Sequence, residues 1–117
     1  MSDEATTVAE LRRLVAEFVA EREWQVFHAP KNLAMSLAIE AAELMEHFQW
    51  GSVEDSREVS RQPEKLCEVA DELADVACYL LAFANAMGID LSEAVRAKML
   101  KNAAKYPADQ YRGRFEK

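Results

Sequence analysis

Glycine and proline are scarce in this chain, with three of each among 117 residues. Hairpin turns draw on both, so the chain offers few places to build them. Helix formers (Ala, Glu, Leu, Met, Lys) dominate instead, which points to an all-α protein. Basic charge is also in short supply: 14 Lys and Arg stand against 21 Asp and Glu, a net charge of -7. That balance excludes the basic footprint needed for sequence-independent nucleic-acid binding. It also conflicts with phosphate binding unless a metal cation intervenes. No apolar run approaches the roughly 20 residues needed to span a bilayer, and the polar, acidic opening MSDEATTVAE is not a signal peptide. Cys67 and Cys78 fall in one predicted helix, about 16 Å apart along its axis. A disulfide needs Cα atoms within about 7 Å, so the two cannot pair within a chain. Free thiols suit a reducing, cytoplasmic setting. Half of the residues are apolar, enough for a small core and for one domain spanning residues 1–117.

Four helices are predicted. The first begins at Thr7, where Thr7 and Glu10 form a T-x-x-E capping box, and Val8, Leu11, Leu14, Val15, Phe18 and Val19 follow at helical period. It breaks at FHAPKN, because the residue before Pro30 resists the helical region. The second helix runs from Asn32, as N-cap, to His47 or Phe48, and Gly51 ends it. Residues 51–62 are polar and read as an exposed connection with at most one helical turn. The third helix runs from Pro63 to Met87, with Gly88 as C-cap. The fourth starts behind Asp90 as N-cap and ends at Lys105 before Pro107. Short mobile segments are expected at residues 1–6 and 107–117.

The middle helices carry an unexpected pattern. Residues three and four apart share a helix face. Ser36, Glu40, Glu43, His47 and Trp50 form one such row, and Glu68, Glu72, Asp75 and Tyr79 form another. The rest of both helices is heavily apolar, so both are expected to be largely buried. Buried carboxylates persist only when paired or bound to metal, and few basic residues lie on these helices to pair them. An all-oxygen set of Asp and Glu suits a hard cation, Mg²⁺ above all, or Mn²⁺. Glu40, Glu43, Glu72 and Asp75 are therefore candidate metal ligands. The plainer alternative is solvated surface, the usual fate of a lone E-x-x-E; Glu46, off the row, is read that way. A di-iron bundle is set aside, because Gln25 and Leu44, three residues before His28 and His47, do not complete Glu-x-x-His.

The run FVAEREWQVFHAPKNLAMSLAIEAAELMEHFQW, followed by DELADVACYLLAFANAMGIDLSEAV and KMLKNAAKYP, resembles the MazG-like nucleotide pyrophosphohydrolases, closest to the branch of the dCTP pyrophosphatases. The resemblance spans roughly residues 10–115. It implies an all-α, MazG-like four-helix bundle that assembles as a dimer or a dimer of dimers, hence a homodimer or homotetramer. It implies Mg²⁺-dependent cleavage of a nucleoside triphosphate between the α and β phosphates, in nucleotide pool sanitation, with dCTP or a modified dCTP as the expected substrate. The family's metal-binding, catalytic acids correspond to Glu40, Glu43, Glu72 and Asp75. The base-holding aromatics correspond to Trp24, Trp50 and Tyr79. A base-holding histidine of some members is Val15 here, a departure from the pattern.

Mg²⁺ held by these acids would reconcile an acidic protein with a polyanionic substrate. One carboxylate not fully engaged with metal could orient the attacking water, and Glu43 is one guess among four. Lys31, Lys101, Asn102, Lys105 and Tyr106 are candidates for phosphate or sugar contacts, with Arg112 and Arg114 in the tail. Lys101 and Lys105 also suit a helix C-terminus with no ligand at all. His28 joins the substrate-side candidates, although a turn histidine that satisfies a backbone group reads as well. Two other functions compete: a phosphoribosyl-ATP pyrophosphohydrolase, and a non-catalytic helical dimerisation or regulatory module. Neither nucleic acid nor a membrane is expected as a partner.

Overall fold

The structure is a computed structural model and describes residues 1–114. All of the regular structure among these residues is helical. A 3-10 turn at Asp3–Ala5 precedes helix α1, Val8–Glu21. The Thr7 hydroxyl accepts from the Glu10 backbone N–H at 3.1 Å, and the Glu10 carboxylate accepts from the Thr7 N–H at 3.4 Å, as the capping box predicts. Just beyond α1, Glu23 takes the left-handed conformation (φ 53°). That reversal leads into a 3-10 turn, Trp24–Phe27.

Helix α2, Pro30–Glu46, begins two residues before the predicted Asn32 cap. Proline at the first helical position gives up an N–H that would have no partner there anyway. Ala29 is extended before it (ψ 145°), as a residue preceding proline should be. Asn32 sits inside the helix, and its amide donates to the Phe27 carbonyl at 3.4 Å. The 51–62 connection is more ordered than its polarity implied. It holds helix α3, Val53–Glu58, opened by a Ser52–Asp55 capping box, and then a 3-10 turn, Val59–Arg61.

Helix α4, Pro63–Met87, has the predicted bounds and ends at Gly88 in the left-handed region (φ 65°). Helix α5, Leu91–Lys105, starts at Asp90, whose carboxylate accepts from the Glu93 N–H at 2.9 Å. In the expected mobile tail, Ala108–Tyr111 forms helix α6, and the Tyr111 ring packs edge-on against Tyr106 at 5.2 Å. The last three residues of that tail lie outside the described residues.

The core is a seam between α2 and α4, with α1 laid across α4. Leu33 is 2% exposed, and Val19, Leu81, Ala82 and Ala84 complete the buried set. A reciprocal clamp ties α1 to the end of α4. The Arg12 guanidinium donates to the Asn85 side-chain carbonyl at 2.9 Å and to the Ile89 carbonyl at 2.7 Å, while the Asn85 amide donates to the Arg12 carbonyl at 3.1 Å.

Helix α5 does not close a bundle within the chain. It leaves α4 at 101°, and none of its residues is buried. The radius of gyration is 17.2 Å, against about 13 Å for a compact chain of this length. The accessible surface is 9400 Å², against roughly 6400 Å² for a compact monomer of this mass. Met35, Ile39, Leu73, Val95, Met99 and Leu100 each stay more than half exposed. No single helix is long and apolar enough to cross a membrane among the described residues. Cys67 and Cys78 are both free thiols.

Candidate active site

The two predicted rows meet across the α2–α4 seam. One oxygen each from Glu40, Glu43 and Glu72 lies within 4.8 Å of the others. The helices run antiparallel here: Glu43 meets Glu72, and one turn later on α2 His47 meets residues earlier on α4. Glu43 is within hydrogen-bonding reach of both Glu40 and Glu72. Two carboxyl groups can hydrogen-bond only by sharing a proton. That bond to Glu43, with desolvation and the charges of Glu43, Asp75 and Glu72, pushes the Glu40 carboxyl up to about 7. Desolvation foremost, then the bond to Glu43, also raises Glu72.

One oxygen of Glu40 and one of Glu72 are buried without a hydrogen-bond partner. Buried oxygens of this kind are costly unless something compensates them. The donor set is all carboxylate, the chemistry that suits a hard divalent cation. Such a cation, with ligands at about 2.1 Å, holds oxygens about 3 to 4 Å apart. The three glutamate oxygens, within 4.8 Å of one another, lie close to that spacing. Asp75 stands outside this trio, exposed, but close enough for its charge to act on Glu40, Glu72 and Cys78.

Asp75 also borders a cavity of about 390 Å³ between α1 and α4, lined by Leu14, Val15, Phe18, Trp24, His28, Cys78 and Tyr79 among others. That volume suits a small organic ligand. The left-handed Glu23 swings Trp24 over this side, where its ring meets Phe18 edge-on at 5.7 Å and 76°. Val15 takes part in the wall, at the position where the resemblance placed a histidine. Cys78 lies between Asp75 and Tyr79, and burial, with the Asp75 charge, pushes its thiol up. A second cavity, about 440 Å³, backs onto the first through Val15, Val19 and His28.

Trp24, His28 and Tyr79 thus come together beside the acids. The other substrate-side candidates do not reach this cavity within one chain. Trp50 is 90% exposed after the end of α2. Lys31 is exposed on the first turn of α2. Lys101, Asn102, Lys105 and Tyr106 travel with α5; the Asn102 amide meets the Met99 sulfur at 3.9 Å, and the Lys105 ammonium lies 5.5 Å from the Tyr106 ring centre. Arg114 donates to the Gln110 carbonyl at 2.6 Å. Two site-facing residues went unnoticed in the sequence. Cys78 follows Asp75 by three, and Lys65 precedes Glu68 by three on the very row that was read.

The MazG-like family matches residues 35–117. The dCTP pyrophosphatase 1 of Rattus norvegicus is 43% identical over 107 residues, covering 92% of this chain and 63% of that protein. That of Homo sapiens is 42% identical over 102 residues, covering 87% and 60%. The chain therefore spans less than two thirds of the length of these curated relatives. A crystal structure of a pyrophosphatase from Archaeoglobus fulgidus superposes with a TM-score of 0.78 at 40% identity, covering 92% of this chain and 98% of that one.

Proposed function

The chain belongs to the MazG-like family, and on that premise we propose that it is a divalent-metal-dependent nucleoside triphosphate pyrophosphohydrolase. It adds water across the α–β phosphoanhydride of a deoxynucleoside triphosphate, dCTP or a modified dCTP, and releases the monophosphate and pyrophosphate. The carrying observation is the convergence of Glu40, Glu43 and Glu72, two with buried partnerless oxygens, beside an aromatic-walled cavity that shares Asp75. The 40–43% identity to dCTP pyrophosphatases and a pyrophosphatase supports the same reading.

Glu40, Glu43, Glu72 and Asp75 would hold Mg²⁺, or Mn²⁺. When bound, the ion supplies positive charge to the phosphate oxygens and to the departing pyrophosphate. The carboxylates also provide the base. One carboxylate not fully engaged with the cation would orient the attacking water or take its proton. Trp24 and Tyr79 offer π-faces to a flat base, and Val15 leaves the nearby wall apolar. The slot is sized for one base and has few polar groups, so base identity rests on His28, the Tyr79 hydroxyl and the Cys78 thiol.

The chain acts as a homodimer or homotetramer. An excess surface of roughly 3000 Å² over a compact monomer, with apolar side chains bare on α2, α4 and α5, matches the size of obligate interfaces. Assembly also gives Trp50, Lys31, Lys101, Asn102, Lys105 and Tyr106 a site to face, namely that of a partner chain.

A panel of dNTPs and NTPs with Mg²⁺ tests the reading. Monophosphate and pyrophosphate are expected, with dCTP or a 5-substituted dCTP preferred. Orthophosphate and a diphosphate would contradict α–β cleavage. No turnover of any triphosphate, with Mg²⁺ or Mn²⁺, would leave a non-catalytic module.

A further inference from the structure

The acids explain how a cation is held, but within one chain none of the lysines considered so far reaches the far end of a polyphosphate tail. We propose that Lys65, set by His47, receives the terminal phosphates, so that the substrate lies along α4 with its base at Tyr79 and its leaving pyrophosphate at Lys65. This deepens the pyrophosphohydrolase reading and rests on it.

The order of side chains along the seam carries the argument. Lys65, Glu68, Glu72, Asp75 and Tyr79 share one face of α4 at spacings of three and four. Glu40, Glu43 and His47 share the facing row of α2. The base cavity borders Tyr79, Cys78 and Asp75, the glutamate trio comes next, and the Lys65 ammonium stands beyond it, 3.0 Å from His47 Nδ1. His47 is four residues past Glu43, a step of about 6 Å along the axis. Base slot, cation ligands and ammonium therefore follow one line, the order of base, inner phosphates and outer phosphates in a nucleotide.

The state of Lys65 fits this role. An ammonium has donors only, so in this contact His47 Nδ1 accepts and Nε2 is the ring's donor. Lys65 is half-buried, and no carboxylate lies within 4.0 Å of it among the described residues. Glu68, three residues along the same face, approaches His47 at 4.0 Å rather than the lysine. A cation at the rim of an acidic site has thus been left without an anion, with two N–H groups to spare. His47 adds a third donor, Nε2–H. No other Lys or Arg shares either row. As the α–β bond breaks, its electron pair passes to the pyrophosphate oxygen, and charge grows at the end of the tail where a donor helps most.

Lys65 could instead serve only to temper repulsion among the carboxylates, and the two roles give opposite readings. The test is calorimetric titration of inorganic pyrophosphate with excess Mg²⁺ into the intact protein, and of Mg²⁺ alone, for wild type, Lys65→Gln and Lys65→Arg. We expect pyrophosphate affinity to fall about tenfold or more in Lys65→Gln and to return in large part in Lys65→Arg. Mg²⁺ affinity and the binding of a nucleoside monophosphate should stay within about twofold. Unchanged pyrophosphate binding in Lys65→Gln overturns the proposal. So does tighter Mg²⁺ binding as the sole effect, or a wild type that takes no pyrophosphate. Binding is read without turnover. A wild type that binds pyrophosphate through Lys65 yet cleaves no triphosphate would refute the enzymatic reading alone.

Discussion

Replacing Glu40 by Gln should move stability and activity in opposite directions. In the metal-free fold the Glu40 carboxyl lies near 7 rather than 4.5, chiefly because it shares a hydrogen bond with Glu43 in a desolvated, negatively charged setting. A carboxyl raised on folding binds its proton more tightly in the folded chain than in the unfolded one. Its favourable contribution is therefore complete below about pH 4.5 and is lost as pH rises through about 7. Midway, near pH 5.75, about 5% of unfolded and about 95% of folded molecules carry the proton, a difference of about 0.9 proton per chain. With a chelator present, the wild-type urea midpoint should fall with pH across that window. Glu40→Gln has no such proton, so its curve should be flatter by about that amount. By about pH 8 the variant should be the more stable of the two, because one of the crowded charges is gone. With Mg²⁺ and dCTP it should be inactive. The assay is urea unfolding followed by circular dichroism from about pH 5 to pH 8, at one protein concentration. Subtracting the two curves cancels the titrating groups that lie away from this carboxylate cluster. A difference that stays level over this range, or that grows in favour of the wild type as pH rises, would refute the crowding of these carboxylates.

Three further outcomes are expected. Leu33→Ala, at the most buried side chain, should cost about 2–5 kcal/mol, which at roughly 4 °C per kcal/mol for a chain this long lowers Tm by about 8–20 °C; a loss under about 1 kcal/mol in urea melts would show that the α2–α4 seam is not the core. Trp24→Ala should raise KM for the preferred nucleotide by about 5- to 150-fold through lost stacking, with Mg²⁺ affinity held; an unchanged preference in the dNTP panel would remove Trp24 from the base slot. Sedimentation should give at least twice the mass of one chain, and Leu100→Glu on the bare α5 should weaken that assembly; a monomer at micromolar concentration would contradict the surface argument.

Much of this architecture is legible in the sequence, for local reasons. Thr7 with Glu10, Asp90 with Glu93, and Pro63 with Gly88 are end signals acting over three residues or at a single backbone angle, and they place α1, α5 and α4 correctly. Asn32 misled because two start signals compete within three residues, and Pro30, already fixed in φ, opens the helix first. The facing rows could be read from spacing, and three of the four acids do converge. Spacing on single helices could not place α5, because its direction is set by one left-handed glycine and the residues after it. Nor could it show that Lys65 lies against His47, a contact across 18 positions. The cavity formed by α1, Trp24 and Tyr79 depends on the reversal at Glu23, a conformation that glutamate seldom adopts.

The seam between α2 and α4 is aligned by its own two faces and not by what joins them. The 51–62 stretch, with α3 inside it, contributes none of the site's acids, so it can lengthen or shorten while Glu43 still meets Glu72. An insertion inside α2 between Glu43 and His47 is different, since each added residue turns everything after it by about 100°. Length variation, loop grafting and reporter insertion therefore belong in the 51–62 segment, and α2 must keep its count.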